Sequence, residues 1–179
     1  MSNDSQTEVT LEGLAIRVDQ IRTQVKAADA AEVIRMLGSL LFTNGYVKDT
    51  FVEAVLEREA KFPTGLQTQT LAFAIPHTDT EHVLKPAIAV ATLEQPVVFK
   101  AMGTEDAEVK AEIVIMLAIS DPAAVVHVLR SVISIAENEP TLQAIRRAGS
   151  PQEVKELIYA HIRATVTKMD RQSIHNSLH

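Results

Sequence analysis

Four short apolar runs crowd the middle of the chain, at 71–75, 87–93, 97–99 and 113–119, each bordered by Pro, Gly or charged residues. Runs of that length with those borders predict β-strands. Between 87 and 119 too few residues separate them for a crossover helix at each step, so some of the pairing must be antiparallel. Ile88 and Val90 alternate with alanines, whereas 113–119 is apolar at every position, the pattern of a strand covered on both faces. A weaker strand pattern at 14–18 would add an edge.

Helical patterns flank this region on both sides. Asp29 and Glu32 form a variant capping box ahead of Val33, Leu37, Leu40 and Leu41, which predicts a helix over 29–43 stopped by Asn44-Gly45. A second, over 48–60, buries Phe51, Val52, Val55 and Leu56 and breaks at Phe62-Pro63-Thr64-Gly65. Asp121-Pro122 supplies an N-cap with proline at the first helical position, and Val125, Val128, Leu129, Val132 and Ala136 follow as a stripe. Pro140 interrupts that helix, leaving a shorter helical turn over 141–148. Ser150-Pro151-Gln152-Glu153 then opens a last helix with Val154, Leu157, Ile158, His161 and Ile162 on one face. The expected fold is a single α/β domain over 11–168, a mixed parallel/antiparallel sheet of about five strands flanked by helices. Flexible ends are expected at 1–10 and 169–179.

At 179 residues and 46% hydrophobic, the chain suffices for one compact core. Its longest apolar run, seven residues at 113–119, falls far short of the roughly 20 needed to cross a bilayer, so no direct membrane insertion is expected. No charged segment followed by an apolar one opens the chain, and a cytoplasmic location is expected. The lack of cysteine rules out disulfides, thiolate zinc sites and a cysteine nucleophile within this sequence. A net charge of −6 without basic clusters argues against nucleic acid as a partner.

The stretch 74–82, Ala-Ile-Pro-His-Thr-Asp-Thr-Glu-His, places His77 just past a predicted strand, where loops display functional groups. Pro76 fixes φ near −65°, so the strand cannot simply continue and the imidazole is held on a stiff exit. With an ordinary pKa near 6.5 the ring is roughly three-quarters neutral at pH 7, and a neutral imidazole serves phosphoryl transfer both as nucleophile and as leaving group. A plain surface histidine is an equal reading on these residues alone. A zinc or iron site built from His77, Asp79, Glu81 and His82 is disfavoured, because His-x-x-x-x-His does not set two imidazoles on one helical face. Asp79 and Glu81 are expected to cap a turn or stay solvated. Arg58 reads by itself as a surface charge, and His127 as an exposed histidine sharing a helix face with Arg130, Ser131 and Ser134. His161 reads as packed and hydrogen-bonded, and Pro63-Thr64-Gly65 as a tight turn near a bound group.

Three segments together, Leu56-Glu57-Arg58-Glu59, Phe62-Pro63-Thr64-Gly65-Leu66 and Ala74-Ile75-Pro76-His77-Thr78-Asp79, resemble the fructose/mannitol-type IIA component of the bacterial phosphoenolpyruvate-dependent sugar phosphotransferase system. The resemblance covers about residues 11–162. The Phe-Pro-Thr-Gly-Leu run and the His-Thr-Asp sequence look most like its galactitol-specific branch. The resemblance implies a phosphoryl carrier that takes the group from the phosphocarrier HPr and passes it to a cysteine on a IIB subunit, for uptake of a sugar or sugar alcohol through the IIC permease. It implies that His77 is the phosphorylated residue, that Arg58 lies close to it, and that His127 is the second active-site histidine. No metal and no other cofactor is implied. A guanidinium beside His77 would keep the ring neutral for attack and then pair with the phosphoryl dianion. Exchange with two partners calls for a shallow apolar surface, to which Leu66, Phe73 and Val83 are candidate contributors. A regulatory member that reports phosphorylation state without a dedicated permease is the alternative reading.

Overall fold

Two long antiparallel strands form the spine of the molecule: β6, Ala87–Lys100, and β7, Glu108–Ala118, paired from Ala87↔Ala118 to Lys100↔Glu108. The computed structural model describes residues 9–11, 13–104 and 106–176. The runs at 87–93 and 97–99, which read from sequence as two strands, are one. The register shifts between Thr92 and Val97, an irregularity that lets the chain pass Pro96, which has no N–H to give the ladder.

Short strands extend the spine on both edges. β2 (Leu14–Ile16) and β3 (Ile21–Val25) pair parallel with β6, and β1 (Val9–Leu11) pairs antiparallel with β2. On the other side β5 (Ala72–Ala74) lies parallel to β7, and β4 (Gly65–Gln67) antiparallel to β5. The sheet is therefore mixed, as expected, with seven strands among the described residues rather than about five.

Alternation along the spine sorts its side chains into two cores. Ala89, Ala91, Leu93, Val114 and Met116 meet Val33, Ile34, Leu37 and Leu41 of α1 (Ala30–Thr43) and Phe51 and Val55 of α2 (Phe51–Lys61). On the other face Ile88, Val90, Ile113, Ile115 and Leu117 meet α3 (Val125–Ala136), α4 (Glu139–Arg147) and α5 (Pro151–Asn176). Every side chain over 113–119 is buried, so the continuously apolar run does mark a strand covered on both faces.

The caps read from sequence are present. The Asp29 carboxylate accepts from Glu32 N at 2.9 Å while the Glu32 carboxylate accepts from Ala28 N at 2.7 Å. Ser150 Oγ accepts from Glu153 N at 3.2 Å, and the Glu153 carboxylate accepts from Gly149 N at 2.9 Å. Pro140 corrects the expectation of a break within a helix: Asn138 Oδ1 accepts from Thr141 N at 3.0 Å, so the proline lies in the first turn of a new helix, α4.

Both ends expected to be flexible reach into regular structure. Val9 and Thr10 lie in β1, and the expectation for 1–8 falls outside the described residues. At the other end α5 remains helical through 169–176, where a tail was expected, because no Gly or Pro follows Pro151 to stop it. Residues 177–179 fall outside the described residues.

Gly65 joins the sheet's far edge to the end of β6. It is paired with Ala74, its carbonyl accepts from Met102 N at 2.8 Å, and a Cβ there would sit 2.6 Å from the Lys100 carbonyl oxygen and 2.5 Å from Val109 Cγ2. A backbone atom cannot rotate aside, so Gly65→Ala is predicted to destabilise the protein by about 1–3 kcal/mol. The check is urea unfolding, with a lowered midpoint at unchanged m value; an unchanged midpoint would show that the two strands separate freely.

Candidate functional site

Where the chain leaves β5, three consecutive residues are each tied to a different part of the fold. Ile75 N donates to Thr64 Oγ1 at 3.2 Å, Pro76 O accepts from Leu117 N at 3.1 Å, and His77 Nδ1 lies 2.8 Å from the Ile75 carbonyl oxygen. A carbonyl can only accept, so Nδ1 carries a proton. In the neutral ring Nε2 then holds the free lone pair. The loop sits at the C-terminal ends of the parallel strands β5 and β7, the edge of an α/β sheet where ligands are usually met.

Burial is the largest influence on the half-buried His77 and pushes its pKa below the ordinary value of 6.5. The Ile75 carbonyl opposes this, Arg58 adds to the lowering, and Asp79 resists it. The net direction is down, toward the neutral ring.

Arg58 stands in the last turn of α2, where a cation is favoured by the helix dipole. Its guanidinium lies over the Phe62 ring, 5.4 Å from the centroid, and donates from Nη1 to Asp79 Oδ1 at 3.3 Å. From sequence Asp79 reads as a turn cap or a solvated charge. Its side chain makes no capping bond to the turn at Thr80–His82 and turns instead to Arg58. His82 Nδ1 lies 2.8 Å from Thr50 Oγ1, and Glu81 lies 3.4 Å from His82 Nε2. Arg58, Asp79, Glu81 and His82 line an open cleft of about 270 Å³ beside the loop. Of the side chains weighed for a metal, His77 is directed to Ile75 and Asp79 to Arg58, while His82 faces Thr50 and Glu81.

His127 is exposed in the first turn of α3, the helix that follows β7 beyond the edge where Pro76 docks. Arg130 is exposed with it, but Ser131 is buried and Ser134 lies 3.0 Å from His161 Nε2, because α5 packs along that side of α3. The expected shared polar face is therefore only partly a surface, and His161 is packed and bonded as its apolar position implied.

The expected apolar rim also moves. Phe73 is fully buried, Val83 is nearly so, and Leu66 packs against the core below α3. Phe62, 63% exposed beside Arg58, and Val126, 66% exposed beside His127, are the large apolar side chains displayed next to the site residues. Glu59 and Thr64 lie within the segments that carry the family resemblance, but the bonds between them, from Thr64 N and Oγ1 to the Glu59 carboxylate, are not announced by either segment. A carboxylate at a helix C-terminus works against the helix dipole, and that misfit is the available hint that Glu59 has another partner.

The family of the phosphoenolpyruvate-dependent sugar phosphotransferase system, EIIA 2, matches residues 15–161. The chain belongs to this family. As an EIIA component it is a phosphotransferase protein of the phosphoryl-carrier type. It is 32% identical over 110 residues to the galactitol-specific EIIA component of Escherichia coli K12, covering 62% of this chain and 73% of that protein. Its fold is similar to enzyme IIA of the Escherichia coli mannitol system, solved in complex with phosphorylated enzyme IIB. The TM-score is 0.65 at 29% identity, over 79% of this chain and 95% of that one. It also resembles the nitrogen regulatory protein IIA-Ntr of Neisseria meningitidis, with TM-score 0.61 over 82% and 97% of the two chains; at 19% identity that likeness concerns the fold alone. Among the described residues of this EIIA protein no helix is long and apolar enough to cross a membrane.

The lowered pKa of His77 has a definite sign. Its native value lies below its unfolded value, so the native state gives up protons more readily. His77 therefore costs no stability above about pH 6.5, and a penalty grows as pH falls through that value toward the native one. An NMR titration of the His77 ring is predicted to show a midpoint below 6.5. Arg58→Gln should move that midpoint upward yet leave it below 6.5, since burial is the larger cause. A midpoint at or above 6.5 in the native protein would refute the assignment of a neutral, desolvated ring.

Proposed function

We propose that this EIIA protein carries its phosphoryl group on Nε2 of His77, accepting it from phospho-HPr and delivering it to a cysteine of a IIB subunit. The observation that carries this reading is the Nδ1 to Ile75 carbonyl bond, which leaves Nε2 as the nucleophile. In the first step the Nε2–P bond forms as the bond between phosphorus and HPr breaks. The ring keeps its Nδ1 proton and becomes cationic beside the phosphoryl dianion. In the second step a cysteine sulfur attacks phosphorus, the Nε2–P bond breaks, and the ring returns to its neutral form. Because the phosphorylated ring is cationic it departs as neutral imidazole, a good leaving group, which is what a reversible carrier needs.

Arg58 and His127 are assigned to the charge that develops on the phosphoryl oxygens in a loose transition state. Arg58 can exchange its 3.3 Å contact to Asp79 for stronger charge-assisted bonds to the dianion. His127, exposed on α3 at the neighbouring strand end, is the second donor. Phe62 and Val126 provide the apolar contacts of a transient docking surface. No metal or organic cofactor enters this scheme.

The 32% identity to a galactitol-specific EIIA component supports galactitol as the transported sugar, with IIC as the permease. The solved complex of a mannitol IIA with phosphorylated IIB supports IIB as the acceptor. The protein is tested by incubation with phosphoenolpyruvate, enzyme I and HPr, followed by assay for acid-labile, alkali-stable phosphate. His77→Ala is predicted to abolish the label. Arg58→Ala and His127→Ala should stay folded and slow transfer to IIB by roughly a hundredfold, the low end for removing one charge-stabilising donor. Label that persists in His77→Ala would overturn the reading. Labelling of His77 with no transfer to any IIB would favour the regulatory alternative.

A further inference from the structure

Glu59 follows Arg58 directly in the last turn of α2, and Thr64 engages both of its carboxylate oxygens. Thr64 N donates to Oε1 at 2.9 Å and Thr64 Oγ1 donates to Oε2 at 2.8 Å. Burial pushes the Glu59 carboxyl upward, and these two bonds from Thr64 oppose the shift. Thr64 is itself only 3% exposed. Its hydroxyl has a single proton, and that proton goes to Glu59. The oxygen is therefore left to accept, and Ile75 N–H donates to it at 3.2 Å. The same residue's carbonyl receives the His77 Nδ1 proton at 2.8 Å.

Every proton in this chain of contacts has a determined direction. Ile75 is held from its amide side by Thr64, and the next peptide is held by the bond from Leu117 N to Pro76 O. Between those two fastenings the Ile75 carbonyl has one orientation, and the ring that donates to it has one tautomer. The carboxylate that starts the chain neighbours Arg58, so one helix end sets the position of both the cation and the imidazole.

We propose that Glu59 and Thr64 are a positioning pair which, acting through Ile75, holds His77 in its Nδ1–H tautomer so that Nε2 is the reactive nitrogen. This rests on the reading of His77 as the phosphoryl carrier. Neither residue touches the reacting atoms. Their effect is on the fraction of rings ready to react and on ring orientation, and errors of about 1 Å in such placement cost up to about a hundredfold in rate.

The test uses the full chain with Thr64→Val, Thr64→Ser and Glu59→Gln. Long-range ¹⁵N NMR reads the His77 tautomer, and steady-state phosphorylation by phospho-HPr reads kcat and KM. In the native protein and in Thr64→Ser the ring should be in the Nδ1–H form, with rates within about twofold of each other. Thr64→Val lacks the hydroxyl, and Glu59→Gln presents one acceptor oxygen where two are used. Both should shift the ring toward the Nε2–H form and lower kcat about tenfold, with KM changed by less than about twofold. An unaltered tautomer and kcat in Glu59→Gln would overturn the proposal, as would a Thr64→Ser protein impaired as much as Thr64→Val. Should Thr64→Val fail to fold, Glu59→Gln decides. Phosphate retained by His77→Ala would defeat the carrier reading instead, while the tautomer measurement would still decide whether the pair orients the ring.

Discussion

The chemistry proposed for this protein depends on the hydrogen bond between His77 Nδ1 and the Ile75 carbonyl, because it specifies both where the ring's proton resides and which nitrogen keeps a lone pair. The bond is only as definite as the carbonyl that accepts it. Residue 75 leaves β5 buried, with no water to take up a stray amide, so its N–H must find a protein partner and finds it in Thr64. The spine of the sheet supplies the other support through Leu117 N. The two cores matter for function mainly by making these supports stiff. Leu117 belongs to a strand covered on both faces and cannot shift without disturbing the layer beneath α3 and α5.

His77 and Arg58 are legible in the sequence for a physical reason. A proline immediately before a histidine at a strand end is a local constraint, and the arginine belongs to a motif of contiguous residues at the end of one helix. Glu59 and Thr64 stand in the same quoted segments, but their bonds to each other and to Ile75, eleven residues beyond Thr64, are not legible, since these exist only once β4 has folded onto β5. Phe73 reads wrongly as a surface contributor because an apolar residue in a short run looks the same whether its strand has one neighbour or two. β5 is flanked by both β4 and β7, and Phe73 is enclosed.

The large-scale fold is legible where patterns are long and obscure where they are short. The spacing between 87 and 119 requires antiparallel pairing, and β6 with β7 satisfies it. The helix caps at Asp29 and Ser150 are visible because capping is a matter of three or four adjacent residues. β1 and β4 have three residues each, and β3 five, too few for periodicity to rise above noise. Such strands owe their conformation to the edge they complete, so their signal lies in the partner strand and not in themselves.

A carrier must bind its cargo firmly enough to accept it and loosely enough to release it, and the pairing of Arg58 with Asp79 suits that requirement. Asp79 is 74% exposed and the contact is 3.3 Å long. Ion pairs of this kind contribute about 0–1 kcal/mol, so in the proposed mechanism a phosphoryl dianion would displace Asp79 at small cost. The displaced carboxylate would remain close by as a like charge, weakening the hold on the dianion and leaving Asp79 ready to reclaim the guanidinium once phosphorus departs. An arginine with no carboxylate beside it would bind the phosphorylated state more tightly and slow the second transfer. Arg58 and Asp79 thus act on one ring with opposite sign, and in the proposed mechanism that opposition would keep the group exchangeable.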